Sequence, residues 1–459
     1  MTSRRRSLGY VPTLAVAALS LVVRLVVLVW ARGHFPAAAD GVYYHTFAGR
    51  LARGLGYTWA WPDGVVTYAA HYPVGYPALL APAYALFGES VDVAIGVNVV
   101  LGVVMSVAMH TLLARAVSRR RALVGGLLVA AHPALVPYAV ALMTEGATVA
   151  LVTLAFALGV SAAAPRGPLG RRGLAAPAYV LAGLVLGVAV LVRPQCLVLA
   201  PVCGALFVGR RAGLARRLGS AVAITSLVLA TVAPWTARNC VRMKSCALVS
   251  VNGGWNLLIG EQTQTGAWEA VKVPEPCLTV WDEAKKDKCF GDVARANIAS
   301  APGSWLARTP QKLAVTFDYF GGAPWYLHQS SPARFPYDAK VALGTIETVF
   351  SRLALVGALV ALGLRRGPRR RARGLLAAVL VAVALSRHAW PAYLGLVVMG
   401  LLLGPRALAR GPLLVPLSLA MVASTALLHA VFFGAGRYGL VVAPFVCALS
   451  VLPRRSASR

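Results

Sequence analysis

The stretch Asp40-Gly41-Val42-Tyr43-Tyr44-His45, which runs on through a Tyr-, Trp- and Gly-rich segment to His71-Tyr72-Pro73-Val74-Gly75-Tyr76-Pro77, decides how the chain is read. It follows an apolar run at about 10–31 and is far more polar and aromatic than its surroundings. Hydrophobic residues make up 58% of the 459 residues and charged residues 13%, with a mean hydropathy of +0.69. A soluble domain carries about a quarter charged residues, and many apolar runs here approach the roughly 20 residues that cross a bilayer. Helices apolar on every side are tolerable in lipid because each satisfies its own backbone polar groups. The expected fold is an all-α polytopic membrane protein, with the 40–77 loop forming a water-facing floor above the membrane.

The net charge of +30 raises the question of nucleic acid. The arginines, however, form short clusters between apolar runs rather than one basic surface, which is the positive-inside pattern; no nucleic-acid partner is expected. The first run follows Arg4-Arg5-Arg6, is too long for a signal h-region and carries Arg24, so it reads as an uncleaved helix. About twelve transmembrane helices follow from run lengths and loop charges together. They are expected near 10–31, 91–115, 122–141, 147–164, 175–192, 196–209, 218–234, 342–364, 374–386, 390–404, 412–432 and 439–452. The 76–87 segment is too short to span and reads as an interfacial helix.

Basic residues at Arg115, 119–121, Arg166, Arg171, Arg172, Arg210, Arg211, Arg216, Arg217, 365–373, Arg454 and Arg455 mark the cytoplasmic side. The 15 Asp and Glu residues all fall outside or at an outer helix end, and apart from Arg24 ionisable residues avoid the midplane. Three parts result: 1–235 with seven spans and the 40–77 loop, an extracytoplasmic segment at 236–340, and 341–459 with the last five spans. Both termini are expected in the cytoplasm, in the cell inner (plasma) membrane. Cys240, Cys246, Cys277 and Cys289 fall in the outer segment, where an oxidising compartment favours disulfides. Local pairs, Cys240–Cys246 and Cys277–Cys289, are preferred among the alternatives. Residues 268–305 read as a small α/β or irregular subdomain.

Several residues could carry chemistry. Asp40, a carboxylate at the membrane surface, could serve as a general base or simply begin a surface helix over 41–51. Glu145 lies in an expected tight turn, Met143-Thr144-Glu145-Gly146, where it could face the floor or complement a helix dipole. Arg193 and Arg437 sit at outer helix ends, against the positive-inside trend. Each could grip a phosphate bidentately or snorkel to ordinary headgroups. Arg24, deep in the first span, needs a bundle-facing environment. The blocks Pro234-Trp235-Thr236-Ala237-Arg238-Asn239 and Asn252-Gly253-Gly254-Trp255-Asn256-Leu257 are the densest polar signature. Their Trp residues could stack on a sugar or anchor at the interface, and Asn-Gly-Gly allows a turn with positive φ.

Taken in order, these motifs resemble bacterial C-type glycosyltransferases, in particular the protein O-mannosyltransferase and aminoarabinose-transferase clan. The resemblance rests on Asp40 after the first span, Tyr72-Pro73-Val74-Gly75-Tyr76-Pro77, Thr144-Glu145-Gly146, Arg193-Pro194-Gln195, the two blocks above, and 429–433 with Arg437-Tyr438. It implies a transferase that uses a polyprenyl-phosphate-linked sugar donor and an acceptor lipid, glycan or protein. Asp40 and Glu145 would be the catalytic acids, and Arg193, Arg437 and Tyr438 would hold the donor phosphate. Tyr43, Tyr44, His71, Tyr76, Trp235, Asn252 and Trp255 would contact substrate. The clan usually shows an Asp-Glu pair where this chain has Asp40-Gly41. The resemblance settles no cofactor, and a divalent metal is left as an option, with His71 as a ligand or, preferably, a polar contact.

Two rivals remain. A transporter or lipid flippase should show broken helices and paired charges near the midplane; a noncatalytic scaffold should tolerate loss of Asp40.

Overall fold

The computed structural model describes residues 2–163, 175–209 and 212–453. The expected basic markers Arg166, Arg171, Arg172, Arg210, Arg211, Arg454 and Arg455 lie outside the described residues. Each expected span except that at 122–141 falls largely on helix, and the chain is a polytopic helical membrane protein. Seven stretches are single helices long and apolar enough to cross a bilayer: Val11–Ala31, Val91–Ala114, Thr144–Ala162, Ala175–Val192, Leu214–Arg242, Tyr337–Gly363 and Leu414–Val431. The rest are shorter or jointed: Arg119–Ala130, Pro194–Phe207, Arg370–Leu385, Trp390–Leu403 and Gly436–Ser450.

The run expected at 122–141 is not one span. Its helix, Arg119–Ala130, stops, and the chain resumes as a 3₁₀ turn at Pro137–Val140. Pro133 and Pro137 lack backbone donors, and a proline disfavours helix at the residue before it. The break leaves helix-terminal carbonyls without an intrahelical partner. Arg24 fills that need: its Nη1 donates to Ala130 O at 2.9 Å and to Ser20 Oγ at 2.6 Å. The expected bundle-facing environment of Arg24 is therefore a joint, reached from the neighbouring helix.

The expected outer turn at Thr144-Glu145-Gly146 is instead the first turn of the Thr144–Ala162 helix, preceded by extended Met143. The Leu214–Arg242 helix does not end near Pro234 but continues through it for two more turns. Within 236–340, the stretch 268–305 holds no strand: 268–274 are irregular, as one of the two readings has it, and a 3₁₀ turn at Glu275–Cys277 leads to the Glu283–Ser300 helix. Asp282 caps that helix by accepting from Lys285 N at 2.9 Å. Among the described residues the strands form one antiparallel hairpin, Thr58–Ala60 with Val66–Tyr68. The structure joins Cys240 to Cys246 and Cys277 to Cys289.

Ionisable residues do enter the Tyr337–Gly363 helix, contrary to expectation. Glu347 is buried well inside it. Arg352, further along, donates to the carbonyls of Asp318, Ala384, Ser386 and Arg387. Arg352 ties the Leu385–Trp390 connection to Asp318 in the 236–340 segment, so it is a structural cation satisfied by backbone.

Candidate active site

Four charged side chains from four distant segments meet at one end of the bundle. Asp40 begins the Asp40–Ala52 helix, Glu145 lies in the first turn of Thr144–Ala162, Arg193 follows Ala175–Val192, and Arg437 lies in the short helix Gly436–Gly439. Both carboxylates sit at helix N-termini, where the dipole favours negative charge. Arg437 Nη2 donates to Asp40 Oδ2 at 2.8 Å. Arg193 Nη1 lies 2.9 Å from Glu145 Oε1, and Arg437 Nε lies 3.7 Å from the same oxygen. Tyr138 donates to Glu145 Oε2 at 2.7 Å. Tyr438 lies beneath both guanidiniums, 4.8 Å from Arg193 and 5.1 Å from Arg437, and stacks on His429 at 4.5 Å. With its amide turned so that the oxygen faces Arg193, Gln195 accepts from Arg193 Nε at 2.9 Å.

Exposure separates the two acids. The Glu145 side chain is 2% exposed with both oxygens engaged, whereas Asp40 is 33% exposed. Its Oδ1 receives only a long 3.4 Å bond from Tyr72. A proton arriving from solvent or substrate therefore has access to Asp40 and not to Glu145. Removing one partner of the buried Arg193–Glu145 pair would leave an uncompensated charge, the costly way to break an ion pair, whereas the more exposed Asp40–Arg437 pair is open to solvent.

Two cavities meet at this cluster. The more polar of the two, about 640 Å³, is lined by Asp40, Tyr44, His71, Tyr72, Glu145, Arg193, Asn252, Trp255, Arg437 and Tyr438 among others. A larger, more apolar one of about 1630 Å³ is lined by Asp40, Tyr43, Trp59, Trp268, Trp325, Thr348, Arg437 and Tyr438 among others. Asp40, Arg437 and Tyr438 belong to both walls. Burial lowers the pKa of His71 against the pull of Asp287 and Asp40, which keeps the imidazole neutral at neutral pH. Burial and the Asp40 charge raise the Tyr44 and Tyr72 hydroxyls, so they remain donors.

The backbone is shaped to hold this set. Ala39, directly before Asp40, has φ 49°, a left-handed value that a non-glycine residue adopts at a cost. At Gly41 a Cβ would lie 2.7 Å from the Tyr326 hydroxyl and 3.1 Å from Leu142 O. The acid absent from position 41 thus has a steric cause. At Gly436 a Cβ would fall 2.1 Å from Phe320 O, so glycine lets the Arg437 turn lie against the 319–322 backbone.

Two expected substrate contacts are placed elsewhere. Tyr76 is fully buried and donates to Asn98 Oδ1 at 3.0 Å. Trp235 donates to Val249 O at 2.7 Å and packs edge-on against Tyr57. Neither lines either of these two cavities. The rest of the Trp235 block behaves alike. Thr236 donates to Leu248 O, Asn239 to Ala247 O and Val249 O, and Arg238 to Ala69 O and Tyr57 O. The block is a clamp that fastens the first loop and the Cys240–Cys246 loop to one helix end. Residues 252–255 form no positive-φ turn. Gly253 opens the Gly253–Gln262 helix, and Gly254 allows close approach to Asp287 O, where a Cβ would sit 1.8 Å away. Asp287 accepts from Trp255 N at 2.8 Å, and Glu283 accepts from Ala70 N at 3.1 Å.

Sequence reasoning missed Tyr138, Glu283 and Asp287. Tyr138 lies in an apolar run without any local polar signal, and the two acids are single positions on a charged helix. Among the described residues, no group of three or more His, Cys, Asp or Glu converges to hold a metal ion. The carboxylates of Asp40 and Glu145 face guanidiniums instead.

Among solved structures, ArnT from Cupriavidus metallidurans bound to undecaprenyl phosphate is similar at 16% identity and TM-score 0.42, over 96% of this chain and 77% of that chain. The Archaeoglobus fulgidus oligosaccharyltransferase in its apo form is similar at 13% identity and TM-score 0.49, over 96% of this chain and 50% of that one. The A. fulgidus AglB complex with an inhibitory peptide and a dolichol-phosphate gives 13%, TM-score 0.46 and the same coverage. The chain thus spans about half the length of the archaeal enzyme, and likenesses at this level assign no residues. A comparison with curated proteins yields no match. Residues 71–236 match the family model described as dolichyl-phosphate-mannose-protein mannosyltransferase, a stretch that holds Glu145 and Arg193 and stops short of Asp40 and Arg437.

Proposed function

We propose that the protein is a membrane glycosyltransferase that moves a sugar from a polyprenyl-phosphate-linked donor to an acceptor hydroxyl or amine at the membrane surface. One observation carries the reading: the Asp40–Arg437 ion pair stands in the wall shared by a polar cavity and a larger apolar one. The match over 71–236 supports the same chemistry. The apolar cavity suits a polyprenyl chain, and the polar cavity suits the sugar.

In this mechanism the acceptor oxygen or nitrogen attacks the anomeric carbon and the bond from that carbon to the phosphate oxygen breaks. The electron pair leaves with polyprenyl phosphate, and the acceptor proton passes to Asp40 Oδ1. Arg437 Nη1 rests 3.3 Å from the Met143 sulfur, a weak acceptor that a phosphate oxygen outcompetes. It can therefore take the developing charge while Nη2 keeps Asp40 in place. Glu145 holds Arg193 and Arg437 rather than exchanging protons, and Arg193 adds positive charge from beneath. Asp40→Asn tests the base. Transfer to the native acceptor is expected to fall about 10²–10⁴-fold while the thermal unfolding temperature is kept; retained transfer would remove Asp40 from the role.

Mannose is the first sugar to try, given the family description, and a hexosyl or pentosyl donor is the wider class. The site end of the bundle is assigned to the extracytoplasmic side of the inner membrane. Basic clusters at 119–121, 216–217 and 365–373 lie at the opposite helix ends, which supports cytoplasmic termini. Comparing the glycolipids and glycoproteins of a deletion strain with its parent identifies the acceptor.

A further inference from the structure

Arg24 is 1% exposed, and no carboxylate among the described residues forms an ion pair with it. Its place is nevertheless built. Gly102 leaves it room, since a Cβ there would lie 2.1 Å from Arg24 Nε. Nη1 is satisfied by Ser20 and the freed Ala130 carbonyl. Nη2 is buried and has no hydrogen-bond partner, a costly state for a charged donor in a membrane interior. Arg24 lines a small internal cavity together with Asn98, Tyr138, Met143 and Gly146. That cavity lies directly beneath the acid cluster, because Tyr138 donates to Glu145 and Met143 and Gly146 flank Glu145 in the chain.

The cavity measures about 20 Å³, and one water molecule needs about 10–15 Å³ by this measure. The polar groups around it are largely committed. Asn98 Nδ2 donates to Ala139 O and Ala141 O, and Asn98 Oδ1 accepts from Tyr76. The Tyr138 hydroxyl gives its proton to Glu145, which leaves its oxygen free to accept.

We propose that this cavity holds one ordered water that accepts from Arg24 Nη2 and donates to the Tyr138 oxygen, making Arg24 a positioning residue for Glu145. The relay runs Arg24 to water to Tyr138 to Glu145, each group donating to the next. A phenol that accepts a hydrogen bond donates more strongly itself. The relay thus holds the Glu145 carboxylate in the orientation that places Arg193 and Arg437. It also gives the jointed Arg119–Ala130 helix a purpose, since the break that frees Ala130 O brings Arg24 to the cavity. The inference rests on the transferase reading only for its kinetic consequence.

The test uses the full chain in nanodiscs. At high resolution, density for one water within hydrogen-bond distance of Arg24 Nη2 and Tyr138 Oη is expected; a dry cavity overturns the proposal whatever the enzyme transfers. Gly146→Ala is the kinetic arm. Beyond the glycine's chain neighbours and its own helix backbone, no heavy atom lies within 4 Å of the added methyl, and alanine is the better helix former, so folding is expected to hold. Displacing the water should lower kcat about fivefold to tenfold with little change in donor KM. In a Tyr138→Phe background the same substitution should cost nothing more, because the relay is already cut. Unchanged kcat in Gly146→Ala, or full additivity with Tyr138→Phe, would sink the relay even where transfer itself is secure.

Discussion

Gly41 occupies the position where a second carboxylate would complete an acidic pair, and its surroundings explain why none is there. The Tyr326 hydroxyl, which also receives the Ala38 N–H at 3.2 Å, fills the space a side chain would need. The acid that the structure brings nearest to Asp40 is instead Glu145, which comes from another helix and shares Arg437 with it. Gly41→Glu should therefore not restore a working pair. Overpacking costs about 1–3 kcal/mol, so a lower unfolding temperature is expected, with weaker transfer and no response to added divalent cations. Metal-stimulated transfer in that variant would show that the position tolerates an acid after all. Asp40, Glu145, Arg193 and Arg437 were legible in the sequence because charge at the ends of apolar runs is conspicuous. Tyr138 was not, since a lone tyrosine within an apolar run looks like packing until its hydroxyl is seen on Glu145. Tyr76 and Trp235 misled for the converse reason: a motif aromatic next to a site reads as a substrate contact, and here their polar atoms are spent on Asn98 and Val249.

At the scale of elements, the last two turns of the Leu214–Arg242 helix fasten the first loop. Arg238 alone holds Ala69 O at 2.9 Å and Tyr57 O at 2.8 Å, and its guanidinium lies 4.6 Å over the Trp235 ring. Arg238→Met keeps the apolar stem and removes both charged hydrogen bonds, each worth about 1.5–3 kcal/mol. The hairpin and residues 69–72 should then exchange amide hydrogens faster, with a raised KM and a smaller change in kcat. Hydrogen exchange resolved by mass spectrometry over 57–72 reads this directly, and unchanged protection there would deny the clamp. Helix existence was readable in the apolar runs, because lipid solubility demands them, and not in 236–340, where Glu283–Ser300 carries no such run. Helix ends were not. Pro133 breaks its run whereas Pro234 is carried through, and the difference lies in what surrounds each. A buried arginine donates to the freed carbonyl at the first, and the clamp's tertiary bonds sustain the helix beyond the second.

For the whole molecule, the arrangement is two cavities of unlike character sharing one ion pair. A single-site binding protein would need only one of them. A carrier would need its charges near the midplane, whereas the acid–arginine cluster here stands at helix ends. The division of labour makes a prediction about substrate shape. Thr348 lines the apolar cavity alone, on the Tyr337–Gly363 helix and apart from the four charged residues. Thr348→Trp should fill space needed by the lipid chain without touching the sugar side. The KM for a long-chain polyprenyl donor is expected to rise about tenfold, equivalent to about 1.4 kcal/mol of lost binding. A donor carrying a short, water-soluble prenyl chain should be nearly unaffected, because it never occupied that space. Measuring both donors on the same purified variant separates loss of fit from loss of fold. If the short donor suffers as much as the long one, the apolar cavity does not hold the lipid, and the acceptor becomes its better occupant.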